Sequence, residues 1–318
     1  MQFKRCGDSG LKLPRLSLGC WNNFGDAADR DTMRSILRAA FDSGITHFDF
    51  GNNYGPPPGA AEANVGKILR SEFAGYRDEL IISTKAGFPM WPGPYGDGGS
   101  RKYLMASLDQ SLRRLQLDYV DIFYSHRFDP ETPLEETVTA LADAVRQGKA
   151  LYAAISNYNG EQARRAAAML EEQNVRLLLD QVPYSLLRRA HEEETFPVVS
   201  ELGMGVVAFG PLSQGMLTDR YFDGIPASSR AGNPAGTLQQ DRVSDQVVST
   251  AKQLSEVAAR RGQTLAQMAL AWVLNHGAVT TALMGASTPE QVHHNVETLS
   301  HMDFESEELA NIQEILAG

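Results

Sequence analysis

The chain has 318 residues, 42% hydrophobic and 21% charged, the balance of a folded protein with one large core and not of a disordered or fibrous chain. Acidic residues number 39 against 29 basic, a formal charge of -10 with no Lys/Arg run, which argues against a nucleic-acid partner. Met1 to Gly10 is polar, no stretch approaches the roughly 18 apolar residues of a membrane span, and Cys6 and Cys20 have no paired spacing, so a cytoplasmic protein with no membrane contact is expected.

In chain order, Phe3 to Leu13 carries an Asp8-Ser9-Gly10 turn and reads as a hairpin over the floor of a barrel. Eight short apolar or β-branched runs then follow as expected strands: Arg15 to Leu18, His47 to Phe50, Leu80 to Thr84, Val120 to Tyr124, Ala150 to Ile155, Leu177 to Val182, Gly205 to Phe209 and Thr280 to Met284. Amphipathic segments alternate with them: Arg30 to Ser43, Ala61 to Ser71, Lys102 to Leu115, Leu134 to Gln147, Gly160 to Glu172, Thr195 to Leu202, Val243 to Arg261 and Leu265 to Asn275. Two connections are long for plain turns, 88–100 after the third strand and 213–241 after the seventh, and both read as binding loops. Serial βα units predict an α/β chain, a single (β/α)8 TIM barrel over residues 1–318, because no strand is followed by the G-x-G-x-x-G of an open dinucleotide-binding sheet.

Four polar groups fall where such a barrel carries its active site, at or beyond the C-terminal ends of strands two, three and four. Asp49 lies in His47-Phe48-Asp49-Phe50 with Tyr54 just after it, Lys85 ends Leu-Ile-Ile-Ser-Thr-Lys, and His126 ends Val-Asp-Ile-Phe-Tyr-Ser-His. Taken singly, Asp49 suits a helix cap or an Arg partner, Tyr54 a rim aromatic and His126 a satisfied core histidine. Lys85 is harder to dismiss, because an ammonium ending an apolar strand requires a counter-ion, and Asp49 stands on the neighbouring strand. The coincidence of all four on successive strands favours a functional set.

These segments, Asp49-Phe-Gly-Asn-Asn-Tyr54-Gly, Ser-Thr-Lys85 and Tyr-Ser-His126, resemble the catalytic tetrad regions of the aldo-keto reductases, and the resemblance runs nearly end to end. Asn52 to Gly59, Met90 to Gly96 and Gly98 to Tyr103 resemble most the bacterial L-glyceraldehyde 3-phosphate reductases, and the potassium-channel β subunits more distantly. The resemblance implies hydride transfer from NADPH to a small aldehyde or ketone, of the methylglyoxal or glyceraldehyde 3-phosphate type, with Tyr54 as proton donor. Lys85 is expected to lower the phenol pKa from its ordinary value near 10, Asp49 to keep Lys85 charged and aimed, and His126 to orient the carbonyl.

Cofactor positions carry over in the same way. Ser156, Asn157 and Gln181 match residues that bond the nicotinamide carboxamide, and Phe209 the one that stacks on its ring. Gly210, Pro211, Leu212, Ser213, Gln214 and Gly215 match the loop beneath the pyrophosphate, while Cys20 and Trp21, with Asp49, lie near the nicotinamide ribose. Past strand eight, Gly285, Ser287 and Gln291 open a helix whose N-terminal donors suit a phosphate, though Thr288, Pro289 and Gln291 equally read as an ordinary capping box, and Asn295 completes the adenosine end. The Lys and Arg common at this segment are absent, with Gln291 at one position and His294 where an acidic residue is common, so NADH stands as the alternative cofactor. Arg220 and Arg230 match basic positions that the channel-β branch uses for the phosphate. Trp91 and Arg127, with Tyr54 and His126, are expected at the substrate mouth, and Arg127 or Arg101 suits either a substrate phosphate or an ion pair with Asp129 or Asp121.

Two other functions compete. A cofactor-sensing module like the channel β subunits is disfavoured by His126, where that branch carries an amide. A metal-dependent barrel hydrolase is disfavoured because strand one lacks His-x-His and the remaining histidines share no ligand spacing; no metal is expected. Relatives that form tetramers and rings imply a homo-oligomer.

Overall fold

The computed structural model describes residues 1–227, 229–233 and 236–318. A two-stranded antiparallel hairpin, β1 (Phe3–Arg5) and β2 (Lys12–Pro14), pairs Phe3 with Pro14. The strands β3 (Leu16–Gly19), β4 (His47–Asp49), β5 (Ile81–Ala86), β6 (Val120–Ser125), β7 (Ala150–Ser156), β8 (Leu177–Pro183), β9 (Gly205–Phe209) and β10 (Val279–Met284) close into one parallel barrel in chain order, β10 returning to β3. The expected (β/α)8 TIM barrel and its hairpin are therefore present, with strand bounds within about two residues of the sequence reading.

The helices are α1 (Arg30–Asp42), α2 (Ala60–Glu72), α3 (Arg101–Leu115), α4 (Leu134–Arg146), α5 (Gly160–Glu171), α6 (His191–Glu194), α7 (Phe196–Glu201), α8 (Asp245–Arg260), α9 (Leu265–Asn275), α10 (Pro289–Val296) and α11 (Ser306–Ala317). Most begin on a side chain that meets an orphan backbone N–H: Asp29 caps α1, Ser100 caps α3, and Asn159 with Gln162 and Thr264 with Gln267 form capping boxes on α5 and α9. The helix expected over 195–202 is α7, with Pro197 in its first turn, and the short α6 precedes it. The last helix, α11, was not anticipated; Ile312 buries against Leu254 and Val257 of α8.

Strand alternation divides the core in two. Phe48, Ile82, Phe123, Ile155, Val206 and Met284 face outward under the helices, while Ile122, Tyr124, Ala154, Leu179, Val207 and Leu283 fill the barrel, and Cys6 and Leu13 of the hairpin seal its floor. The long connection after β9 is tied down by buried Tyr221, Ala231 and Leu238.

Candidate active site

Pleating sends Asp49, Lys85, Tyr124 and Gln181 inward, near the ends of their strands. Asp49 and Lys85 are fully buried and paired, Lys85 Nζ lying 2.5 Å from Asp49 Oδ2. Nζ also donates to the Phe50 carbonyl at 2.6 Å and to the Tyr54 hydroxyl at 3.3 Å, so all three of its protons have acceptors. The other carboxylate oxygen, Asp49 Oδ1, accepts from Ser83 Oγ at 2.6 Å and from Gln181 Nε2 at 3.1 Å. With every group of the buried pair engaged, the partners offset the desolvation penalty that a bare charge would meet here.

Tyr54 is half-buried above this pair, its ring edge-on to His126 with centroids 5.7 Å apart, and His126 meets Phe88 edge-on at 4.6 Å. Gly51 makes room for the phenol: a Cβ there would come within 2.9 to 3.2 Å of three atoms of the Tyr54 ring. Gly87 does the same for His126, whose Cβ would lie 3.1 Å from a side chain at 87. All four expected groups are thus brought to one place.

Burial pushes the Tyr54 phenol above its ordinary value of 10; Lys85 acts in the opposite sense and Asp49 adds to the rise. The sign expected of Lys85 holds, but burial outweighs it. Burial also works against the Lys85 ammonium, yet Asp49 and then Tyr54 prevail and hold its pKa above the lysine value of 10.5. For His126, burial, then Lys85 and Arg127, place the imidazole well below 6.5, so it is neutral at pH 7. Its Nδ1 is buried with no hydrogen-bond partner among the described residues, which leaves Nε2 as the nitrogen to meet a ligand. Burial and Asp49 raise the Cys20 thiol well above 9, so it stays uncharged.

A second arc of the rim holds the expected cofactor residues. Trp21 is 36% exposed, with its ring 6.0 Å from Tyr54 on one side and 5.9 Å from the Arg230 guanidinium on the other. Ser156 Oγ donates to the Gln181 carbonyl at 2.8 Å, and Asn157 Nδ2 bridges the His126 carbonyl and Ser156 Oγ, both at 3.0 Å. Phe209 is half-buried at the end of β9, followed by exposed Gly210 and buried Pro211. Asn157, Ser213 and Gln214 hold left-handed backbone, and the same conformation continues in Gly215. Strain of that kind in non-glycine residues persists only where surroundings enforce it. Leu212 packs under this turn against the core.

Arg230 bears on what could bind. Burial lowers its pKa, Tyr221 acts in the opposite sense and the nearby cation Arg220 adds to the lowering, and it has no carboxylate partner among the described residues. A Cβ on Gly285 would lie 3.8 Å from its Nη2. A partly buried guanidinium beside a second cation fits an anionic group such as a cofactor phosphate. The start of α10 is less open than the sequence suggests: Gln291 Oε1 accepts from Ser287 N at 2.8 Å and Ser287 Oγ at 3.1 Å, occupying a donor offered to phosphate. Asn295 is buried, with its amide on Met284 Sδ at 3.4 Å.

At the mouth, Trp91 packs on Tyr103 at 5.3 Å. Arg127 pairs with neither Asp129 nor Asp121. It donates to both oxygens of Asp97, at 2.9 and 3.0 Å, and through Nε to the Gly87 carbonyl at 2.7 Å. Arg101 instead pairs with Asp143, on the α4 side of the loop. The sequence reading missed Ser83, Phe88 and Asp97. Ser83, two residues before Lys85 and so on the same strand face, was the one with a legible signal. Among the described residues no group of three His, Cys, Asp or Glu could hold a metal ion, and no helix is long and apolar enough to cross a membrane.

Comparison with known proteins agrees with this geometry. The model of the Aldo/keto reductase family matches residues 15–317. The chain is 53% identical to the L-glyceraldehyde 3-phosphate reductase of Escherichia coli O157:H7, covering 100% of this chain and 93% of that protein. It is 36% identical to a putative voltage-gated potassium channel subunit beta of Schizosaccharomyces pombe, over 99% and 93% of the two chains. A probable channel subunit beta of Arabidopsis thaliana is 35% identical, over 94% and 91%. The chain belongs to the aldo/keto reductase family of oxidoreductases.

Proposed function

We propose that the protein reduces small aldehydes, of the methylglyoxal or glyceraldehyde 3-phosphate type, to alcohols with NADPH, and that Tyr54 is the proton donor. One observation carries the reading: the Tyr54 hydroxyl lies 3.3 Å from an ammonium that a buried carboxylate holds, with a neutral imidazole beside the ring. A bound reduced nicotinamide supplies the hydride to the carbonyl carbon.

The chain's own residues handle the charge that grows on oxygen. His126 Nε2 orients the carbonyl, and Tyr54 releases its proton to the oxygen as the carbon–oxygen double bond is lost. The phenolate then stands beside Lys85, whose charge stabilises it in a site with little water, and Asp49 and the Phe50 carbonyl keep that ammonium from turning away. Because burial already holds the phenol protonated, the donor form is present at neutral pH.

Ser156, Asn157, Gln181 and Phe209 would seat the nicotinamide, and the 210–215 turn with Arg220 and Arg230 would take the phosphates. Two cations without carboxylate partners among the described residues support NADPH over NADH, since its extra phosphate meets charge-assisted donors. The phosphorylated aldehyde named for the Escherichia coli relatives supports a substrate carrying an anionic end, although Arg127 at the mouth is already paired with Asp97. Steady-state turnover of NADPH with an aldehyde panel tests the reading. Tyr54→Phe is expected to lower kcat about 10²- to 10⁴-fold while cofactor Kd stays within about twofold. Undiminished turnover in that variant, or a lost cofactor affinity, removes Tyr54 from the role.

A further inference from the structure

Beneath the Asp49–Lys85 pair, four side chains from four neighbouring strands form a line of hydrogen bonds that the reaction as described does not use. Thr281 of β10 and Ser17 of β3 stand 2.7 Å apart, Oγ1 to Oγ. Ser17 Oγ lies 2.9 Å from His47 Nδ1 on β4, and His47 Nε2 lies 2.9 Å from Ser83 Oγ on β5. Ser83 closes the line on Asp49 Oδ1 at 2.6 Å. Thr281, Ser17, His47 and Ser83 all have no solvent-accessible surface.

Counting protons fixes the direction of every link. A hydroxyl has one proton, and that of Ser83 lies on the Asp49 carboxylate, so Ser83 Oγ accepts from His47 and the ring proton sits on Nε2. Burial holds His47 at a pKa of about 4, so the imidazole is neutral and Nδ1 carries a lone pair. Nδ1 therefore accepts from Ser17, and Ser17, its only proton spent, accepts from Thr281. All four donors point one way and end on a single carboxylate oxygen. With the ring proton on Nδ1 instead, Ser83 would turn its proton to Nε2, and Asp49 Oδ1 would keep only Gln181.

We propose that His47 is a positioning residue for the reduction: as the Nε2–H tautomer it commits the Ser83 hydroxyl to Asp49, which in turn aims Lys85 at Tyr54. The proposal rests on the reading of Tyr54 as proton donor; the tautomer does not. The link from Lys85 to Tyr54 is already long at 3.3 Å, so a small rotation of the carboxylate weakens the contact that stabilises the phenolate. Histidine suits the position because it both accepts from one strand and donates to the next across a ring that spans them.

Two measurements test this. Histidine-labelled protein without cofactor, followed by long-range 1H–15N correlation between roughly pH 6 and 8, is expected to show His47 as a non-titrating Nε2–H ring. An Nδ1–H or cationic ring overturns the direction of the line. In turnover, His47→Leu is expected to lower kcat about tenfold with aldehyde KM and cofactor Kd within about twofold, and His47→Gln, whose amide both donates and accepts, to recover most of the loss. Ser83→Ala, which spares the ring, is expected to show a similar loss, and the double variant no more than either single change. Additive losses, or full rate in Ser83→Ala, overturn the proposal even where His47→Leu folds poorly. A protein with no aldehyde turnover at all would remove the proposed reaction and leave the tautomer result standing.

Discussion

The two ends of the barrel treat polar groups differently. At the floor, the buried Arg15 guanidinium satisfies the carbonyls of Val279, Thr280 and Leu274, Lys4 Nζ meets those of Gly277 and Val279, and the Cys6 thiol reaches Leu178 O. Toward the rim, His126 Nδ1 and the side-chain oxygens of Asn52 and Asn53 are buried with no partner among the described residues, and Arg230 has no counter-ion among them. The floor is finished as a piece of structure, whereas the rim has bonding capacity left over. Unmet groups of this kind are costly in a folded chain, and those beside Tyr54 and Lys85 stand where a ligand could satisfy them.

Substitutions at the two ends should therefore separate stability from function. Arg15→Leu removes the guanidinium from the Leu274 and Thr280 carbonyls, leaving Val279 to Lys4, and is expected to cost about 4 kcal/mol in urea unfolding while kcat per folded molecule is unchanged. A fall in kcat without a fall in stability would erase the distinction. Acid probes the layer between the ends. The folded pKa of His47, about 4, lies below its ordinary 6.5, so the folded state binds fewer protons over that interval. Its contribution is complete above about pH 6.5 and is lost as pH falls toward 4, on the order of 3 kcal/mol, and His126 acts in the same direction. Urea midpoints at pH 7 and 4.5 measure it, and His47→Gln should flatten the difference. The smallest effect is at the rim: Arg230→Gln is expected to weaken NADPH about tenfold by fluorescence titration, with NADH and the unfolding midpoint unmoved. Equal weakening of both cofactors would assign Arg230 to the shared pyrophosphate.

The barrel was legible because each strand is a short apolar run and most of the helices carry their own cap, both of which are local signals. Asp49, Tyr54, Lys85 and His126 were legible because polar residues ending apolar strands contradict their surroundings. The partner of Arg127 was not: Asp97 lies 30 positions away in a loop whose path depends on tertiary packing. Helix α11 was overlooked because the eighth strand had completed the expected repeat, although Glu305 and Glu308 form a capping box ahead of Leu309 and Ile312. His47 was visible only as a histidine lacking ligand spacing. Its meaning came from Ser17 and Ser83, which closure of the barrel brings to its two sides.

The chain has three tryptophans, and only Trp21 stands on the ledge between the phenol and the unpaired guanidinium; Trp91 packs on Tyr103, and Trp272 stacks on Tyr184 at 5.2 Å. Nature has in effect mounted an optical gauge at the junction of the two subsites. The emission of that one indole reports occupancy there without a label, and replacing it with phenylalanine supplies the dark control.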